Sequence, residues 1–259
     1  MAKKPRQYFT IPNLFTTINL FCGFASIAAT MSGKFVAAGW IIFLAGIFDA
    51  LDGKIARVSG QHSDFGLQMD SLADVISAGV APAILLYEYH LKSVGHHFAV
   101  GLILGFMPLL FATFRLARFN VMMLREGHKS YFTGMPAPMA ASTLASVVVL
   151  HSLVGWPILL RGMIYLTPAV SLAMASHLRY ESFPRFSLKE RGGNRFKLLM
   201  FFAGIVNVFI FPAYTFFIFM IIYFLSGPVI FFYSLLKTSP NTRTALLEDD
   251  DIFADQRVP

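Results

Sequence analysis

The chain has 259 residues, of which 56% are hydrophobic and only 14% charged, with a mean hydropathy of +0.63. A soluble domain carries about 25% charged residues, and a disordered chain combines low hydrophobicity with high charge, so this composition excludes both. The one cysteine, Cys22, excludes an intrachain disulfide framework and a Cys-rich metal site.

A membrane-spanning helix needs roughly 20 mostly apolar residues. Apolar stretches approach that length at 12–31, 35–52, 67–90, 97–122, 135–153, 157–177, 197–212 and 214–236. The seventh is short, and Pro212 beside it suggests a helical hairpin turning near Pro212 and Ala213. The expected fold class is an all-α polytopic membrane protein of about eight transmembrane helices. Residues 1–238 read as one integral membrane domain. Residues 239–259 read as a polar acidic tail, solvated and disordered, with Glu248, Asp249, Asp250 and Asp251 in a row. The basic start leads into a long apolar run with no convincing cleavage pattern, so it reads as a retained first helix.

The formal charge is +7 and the pI about 9.6, which in a soluble protein would suggest nucleic acid. The distribution of charge gives another reason. With the N-terminus placed inside, Lys34, Lys92 and Arg161 fall outside, and the other 18 of the 21 Lys and Arg residues fall inside. That asymmetry predicts both termini in the cytoplasm, explains the basic pI without a nucleic-acid partner, and gives the inner face an attraction for anionic lipid.

Acidic residues within or beside membrane helices are expensive and are functional candidates by default. Asp49 and Asp52 lie at the inner end of the second span, and Asp70 and Asp74 at the start of the third. Spacings of i,i+3 and i,i+4 put each pair on one helix face, so two facing helices can aim four carboxylates at one point. Such a group needs positive compensation. Hard divalent cations such as Mg²⁺ or Mn²⁺ take oxygen ligands and bridge to phosphates, and a pair of them can clamp both oxygens of a phosphoryl transfer. The absence of Cys and His from the four argues against zinc. Between the pairs, Gly53 and Ala56 either leave room for a bulky ligand or serve helix packing. Arg57 offers a fork suited to phosphate or anchors the inner face. Gly66 allows close backbone approach where the third helix begins.

Residues 49–74 carry the pattern D-x-x-D-G-x-x-A-R-x8-G-x3-D-x3-D, with all eight fixed positions filled: Asp49, Asp52, Gly53, Ala56, Arg57, Gly66, Asp70 and Asp74. The chain resembles the CDP-alcohol phosphatidyltransferase family at these positions. Its flanks resemble the bacterial-type phosphatidylserine synthases: Ile11 through Thr16 with Asn19, Phe21, Cys22 and Gly23; Asp70 through Asp74 continuing to Ser77, Gly79, Ala81 and Pro82; Arg115 through Asn120; and Gly134 through Pro138. Tyr180-Glu181-Ser182-Phe183 is a looser match, followed by Pro184 and Arg185 where the family often has lysine.

The resemblance implies transfer of a phosphatidyl group from CDP-diacylglycerol to L-serine, giving phosphatidylserine and CMP. It implies a six-helix catalytic core, a homodimer, and an inner (cytoplasmic) membrane location of bacterial type with the site facing the cytoplasm. Asp49, Asp52, Asp70 and Asp74 would hold the divalent metal, Mg²⁺ or Mn²⁺ and in all two ions. Asp52, Gly53, Ala56, Arg57 and Gly66 would shape the CDP-lipid site, and Asp74 would also take the serine hydroxyl proton. Arg115, Arg118 and Asn120 are candidates for the serine itself, since arginine pairs bidentately with carboxylates; the arginines read equally as inner-face anchors, and Asn120 as a helix cap. Asn13 either caps the first helix or faces the nucleotide. A different acceptor, glycerol 3-phosphate or an inositol phosphate, would keep the reaction class. An ion-coupled transporter would instead place acids near the midplane beside broken helices.

Overall fold

The computed structural model describes residues 11–59, 64–93, 98–126, 134–176, 178, 180, 207 and 210–237. Within them every regular element is helical. We label these α1 (Ile11–Met31), α2 (Phe35–Ser59), α3 (Asp64–Asp74), α4 (Ala81–Tyr89), α5 (Phe98–Glu126), α6 (Ala137–Val154), α7 (Pro157–Ala175) and α8 (Pro212–Lys237). A π-helical turn, Val75–Val80, joins α3 to α4, so the three make one continuous span. Seven helical spans among the described residues are long and apolar enough to cross a membrane. The acidic tail and most of the expected span 197–212 lie outside the described residues, as do the side chains of Arg57 and Arg125.

The second span departs from expectation. The second apolar stretch stops near residue 52, but α2 runs on to Ser59. Lys54, Ile55 and Ala56 follow Gly53 with no proline, so helix propagation continues past a single glycine at a cost of about 1 kcal/mol. The motif residues from Asp49 to Arg57 are therefore on one helix.

Burial in α1 runs opposite to that of a soluble amphipathic helix. Its buried residues are Pro12, Asn13, Thr16, Asn19, Cys22, Gly23, Ser26 and Thr30, while Leu14, Phe21 and Phe24 are exposed. Lipid accepts the apolar side chains, and small or polar ones pack between helices. The hydroxyls mostly close on backbone carbonyls: Thr17 Oγ1 donates to Asn13 O at 2.7 Å, Thr30 Oγ1 to Ser26 O at 2.9 Å, and Ser26 Oγ crosses to Ala38 O of α2 at 3.0 Å. The α1–α2 turn is tight, with Gly33 at φ +74°. At Gly23 any Cβ would press on the backbone of Ser77, so α1 lies directly against the π-helical turn.

Helix α6 is the centre of the bundle, buried continuously from Ala140 to Leu150, with α2, α4, α7 and α8 packed around it. Trp40 of α2 stacks on Phe216 of α8 at 5.1 Å.

Candidate active site

Chain direction alternates from span to span, so the N-terminal half of α1, the C-terminal part of α2, the start of the third span and the end of α5 share one end of the bundle. All the candidate residues belong to these four segments. Asp49, Asp70 and Asp74 each present a carboxylate oxygen, and the three oxygens lie within 4.8 Å of one another. Asp74 ends α3 at the point where the backbone widens into the π-helical turn, a distortion frequent at functional sites.

Asp52 is buried and stands behind this trio. Its Oδ2 accepts from Thr16 Oγ1 of α1 at 3.0 Å, and its charge is felt by Asp70. Asp74 Oδ1 accepts from Asn19 Nδ2, also of α1, at 3.0 Å. Thr16 and Asn19 thus hold one acid from each pair. They belong to the flanking resemblance, but we did not expect them as site residues. The signal was there: two polar side chains three positions apart on one face of a membrane helix are costly unless they meet a polar partner.

The three residues expected near the serine make different contacts. Arg115 is half-buried and faces Asp74 and Asp49 electrostatically, with Tyr223 of α8 close by. Arg118 donates from Nη1 to Ala175 O at 3.2 Å, joining a clasp in which Met135 N bonds Ala173 O at 3.0 Å and Gly134 N bonds Leu178 O at 2.8 Å. Gly134 sits there at φ +85°, a backbone state that favours glycine. Asn120 Nδ2 donates to Ser71 Oγ at 2.8 Å, which ties α5 to α3 one residue from Asp70.

Tyr180 closes the same end. Its hydroxyl donates to Phe224 O at 3.2 Å, its ring lies 5.6 Å from that of Tyr223, and it covers Gly227, where a Cβ would collide with it. Burial, helped by Tyr223, pushes the Tyr180 hydroxyl up to about 12, so it remains a donor.

Gly53 opens onto space: a Cβ there would meet nothing within 4 Å. Gly66 lies in the first turn of α3, half-buried.

Among the described residues, three buried side-chain nitrogen or oxygen atoms lack a hydrogen-bond partner: Asn19 Oδ1, Asp70 Oδ1 and Arg115 Nε. All three belong to residues of this one cluster. An all-oxygen donor set, with a buried carboxylate oxygen left unpaired and one guanidinium facing several acids, fits a hard divalent cation.

Residues 9–177 match the model of the CDP-alcohol phosphatidyltransferases. The chain is 34% identical over 235 residues to a CDP-diacylglycerol–serine O-phosphatidyltransferase of Helicobacter pylori, covering 88% of this chain and 94% of that protein. The chain belongs to the CDP-alcohol phosphatidyltransferase family. An archaetidylserine synthase of Methanothermobacter thermautotrophicus is 41% identical over 146 residues, 56% of this chain and 60% of that protein. A further CDP-diacylglycerol–serine O-phosphatidyltransferase, from Methanocaldococcus jannaschii, is 32% identical over 179 residues, 69% of this chain and 77% of that protein. In this family member the matched span holds Thr16, Asn19, the four aspartates and the α5 residues, whereas α8 with Tyr223 lies beyond it.

Proposed function

We propose that this phosphatidyltransferase moves the phosphatidyl group of CDP-diacylglycerol to the hydroxyl of L-serine, releasing CMP and forming phosphatidylserine. The observation that carries the reading is the cluster of Asp49, Asp70 and Asp74, placed by the family's full motif in a chain whose relatives are named for this reaction over most of its length.

Asp49, Asp52, Asp70 and Asp74 would hold Mg²⁺ or Mn²⁺, two ions in our reading. When bound, the metal offsets charge on the pyrophosphate and stabilises CMP as leaving group. The open face at Gly53 and the small side chain of Ala56 leave room for the cytidine diphosphate, with Arg57 and Gly66 completing that pocket. Asp74 accepts the proton of the serine hydroxyl, and a positioned carboxylate base of this kind contributes about 10²–10⁴-fold. The serine oxygen forms a bond to the phosphorus that carries diacylglycerol. The bond from that phosphorus to the bridging oxygen breaks, and CMP departs with that oxygen. Asn19 holds Asp74 in place through its amide N–H, and Thr16 does the same for Asp52.

The acids lie toward one end of the bundle, so the acyl chains can stay in lipid while nucleotide and serine approach from water. The inside-positive charge distribution supports a cytoplasmic mouth in an inner membrane, and the family resemblance supports a homodimer. The archaetidylserine synthase relative favours testing an ether-lipid donor as well.

The test is CMP release by purified protein in micelles with Mn²⁺ or Mg²⁺. CDP-diacylglycerol and its ether-linked counterpart are each paired with L-serine, glycerol 3-phosphate, inositol 1-phosphate or no acceptor. Serine-dependent release supports the reading; release only with a phosphorylated acceptor replaces the substrate and keeps the reaction class.

A further inference from the structure

We infer that Asn19 and Arg115 form the subsite that grips the acceptor's zwitterion beside Asp74, the amide oxygen of Asn19 taking the α-ammonium and the guanidinium of Arg115 taking the α-carboxylate. This rests on the serine reading above and deepens it.

The argument begins with hydrogen-bond sense. An ionised carboxylate only accepts, so the contact between Asn19 and Asp74 at 3.0 Å fixes the amide with its NH₂ toward Asp74. Its oxygen is then the atom left over. Asn19 is 0% exposed, and Oδ1 has no partner. An unmet buried acceptor costs about 1–3 kcal/mol, a cost that the neighbouring hydroxyls of α1 avoid. Thr16 reaches both Pro12 O and Asp52, and Thr17 returns to Asn13 O. Arg115 shows the opposite sense at the same carboxylate: its Nε is a buried donor without a partner, and its charge faces Asp74.

One unmet acceptor on a side chain bonded to Asp74 and one unmet donor on a side chain whose charge is felt there match an amino acid's paired ammonium and carboxylate. A phosphorylated alcohol matches them less well, since its phosphate offers only acceptors and negative charge and a neutral hydroxyl is all that remains to meet Asn19 Oδ1.

The experiment measures kcat/KM for CMP release with L-serine, glycerate (hydroxyl in place of the ammonium) and ethanolamine (no carboxylate). The proteins are the wild type, Asn19→Leu and Arg115→Leu, each checked for retained CDP-diacylglycerol binding. The wild type should prefer serine over glycerate by about tenfold or more, because a neutral hydroxyl can still donate to Asn19 Oδ1 but lacks the charge that strengthens the ammonium's hydrogen bond. Asn19→Leu should lower serine turnover by at least about thirtyfold through KM and bring serine and glycerate within about threefold of each other. Arg115→Leu should erase the discrimination against ethanolamine and keep that against glycerate.

Equal losses with serine and glycerate in Asn19→Leu would mean that Asn19 only positions Asp74, and would overturn the inference. So would an unchanged preference accompanied by a shift in the Mn²⁺ concentration needed for half activity, which would make Oδ1 a metal ligand. If Asn19→Leu does not fold, the wild type decides: glycerate used within about threefold of serine overturns the subsite. Wild-type release with phosphorylated acceptors alone defeats the serine reading itself, a result distinct from these.

Discussion

Among the described residues, polar clusters lie at the two ends of the bundle, and they are built in opposite ways. At the end of the third span, the Tyr89 hydroxyl lies 2.6 Å from His151 Nδ1 and accepts from Ser152 Oγ at 2.9 Å, while Ser152 also reaches Val148 O at 2.8 Å. Lys92 and Glu88 pair nearby at 2.7 Å. Every one of these groups finds its partner within the protein. At the other end, Asn19, Asp70 and Arg115 each bury an atom with no partner, and three carboxylates crowd one point. A satisfied network holds helices together and asks for nothing more. An unsatisfied one costs stability and is explained by what it binds.

The largest break of this contrast is Asp74→Asn. The carboxamide is nearly the same size but cannot take a proton, so CMP release should fall by about 10²–10⁴-fold. Retained CDP-diacylglycerol binding would show that chemistry, not folding, was lost; wild-type turnover in this variant would remove Asp74 from the base role. Asp49→Asn should follow, with two effects of opposite sign. Activity should fall steeply and its Mn²⁺ requirement rise. Thermal stability measured in EDTA should increase, by about 0.5–2 kcal/mol, because a crowded charge has gone from a site kept for function. EDTA alone should abolish wild-type release, and Mn²⁺ or Mg²⁺ should restore it. A destabilised Asp49→Asn protein in EDTA would mean that the acids are structurally compensated without metal.

How legible this was depended on the range of the interaction. The aspartate pairs could be read because their spacing is local: i,i+3 and i,i+4 put Asp49 with Asp52 and Asp70 with Asp74 whatever the rest of the chain does. The membrane spans were equally local, a matter of apolar length. The support of Asp52 by Thr16 and of Asp74 by Asn19 spans 36 and 55 residues and needs the packing register of α1 against its neighbours. Arg118 illustrates the same gap. Nothing near it in sequence says that it donates to Ala175 O. The end of α2 is hidden for a different reason: the apolar stretch stops at Asp52, but one glycine does not end a helix whose next residues propagate well.

Smaller effects sharpen the boundary of the active end. Gly227→Ala should cost about 1–3 kcal/mol in thermal unfolding, because the added methyl falls within the Tyr180 ring and must displace it. Tyr180 packs on Tyr223 and Tyr223 neighbours Arg115, so the serine KM should rise while that of CDP-diacylglycerol stays. An equal rise in both would mean that α8 supports the whole site and not the acceptor side.

Tyr89→Phe is the smallest and the most diagnostic of the comparison. It deletes one oxygen from the paired cluster and leaves His151 and Ser152 to find other partners. Ser152 already reaches Val148 O, so the net loss should be about 0.5–1.5 kcal/mol, the usual worth of a hydrogen bond whose partners can be met elsewhere. The ring keeps its edge contact with Phe35 at 4.9 Å, so packing should survive. Turnover with serine, its metal requirement and the discrimination against glycerate should all match the wild type. A change in any of these would mean that the two ends communicate through α4 and α6, and that the satisfied cluster is part of the enzyme's working machinery as well as its frame.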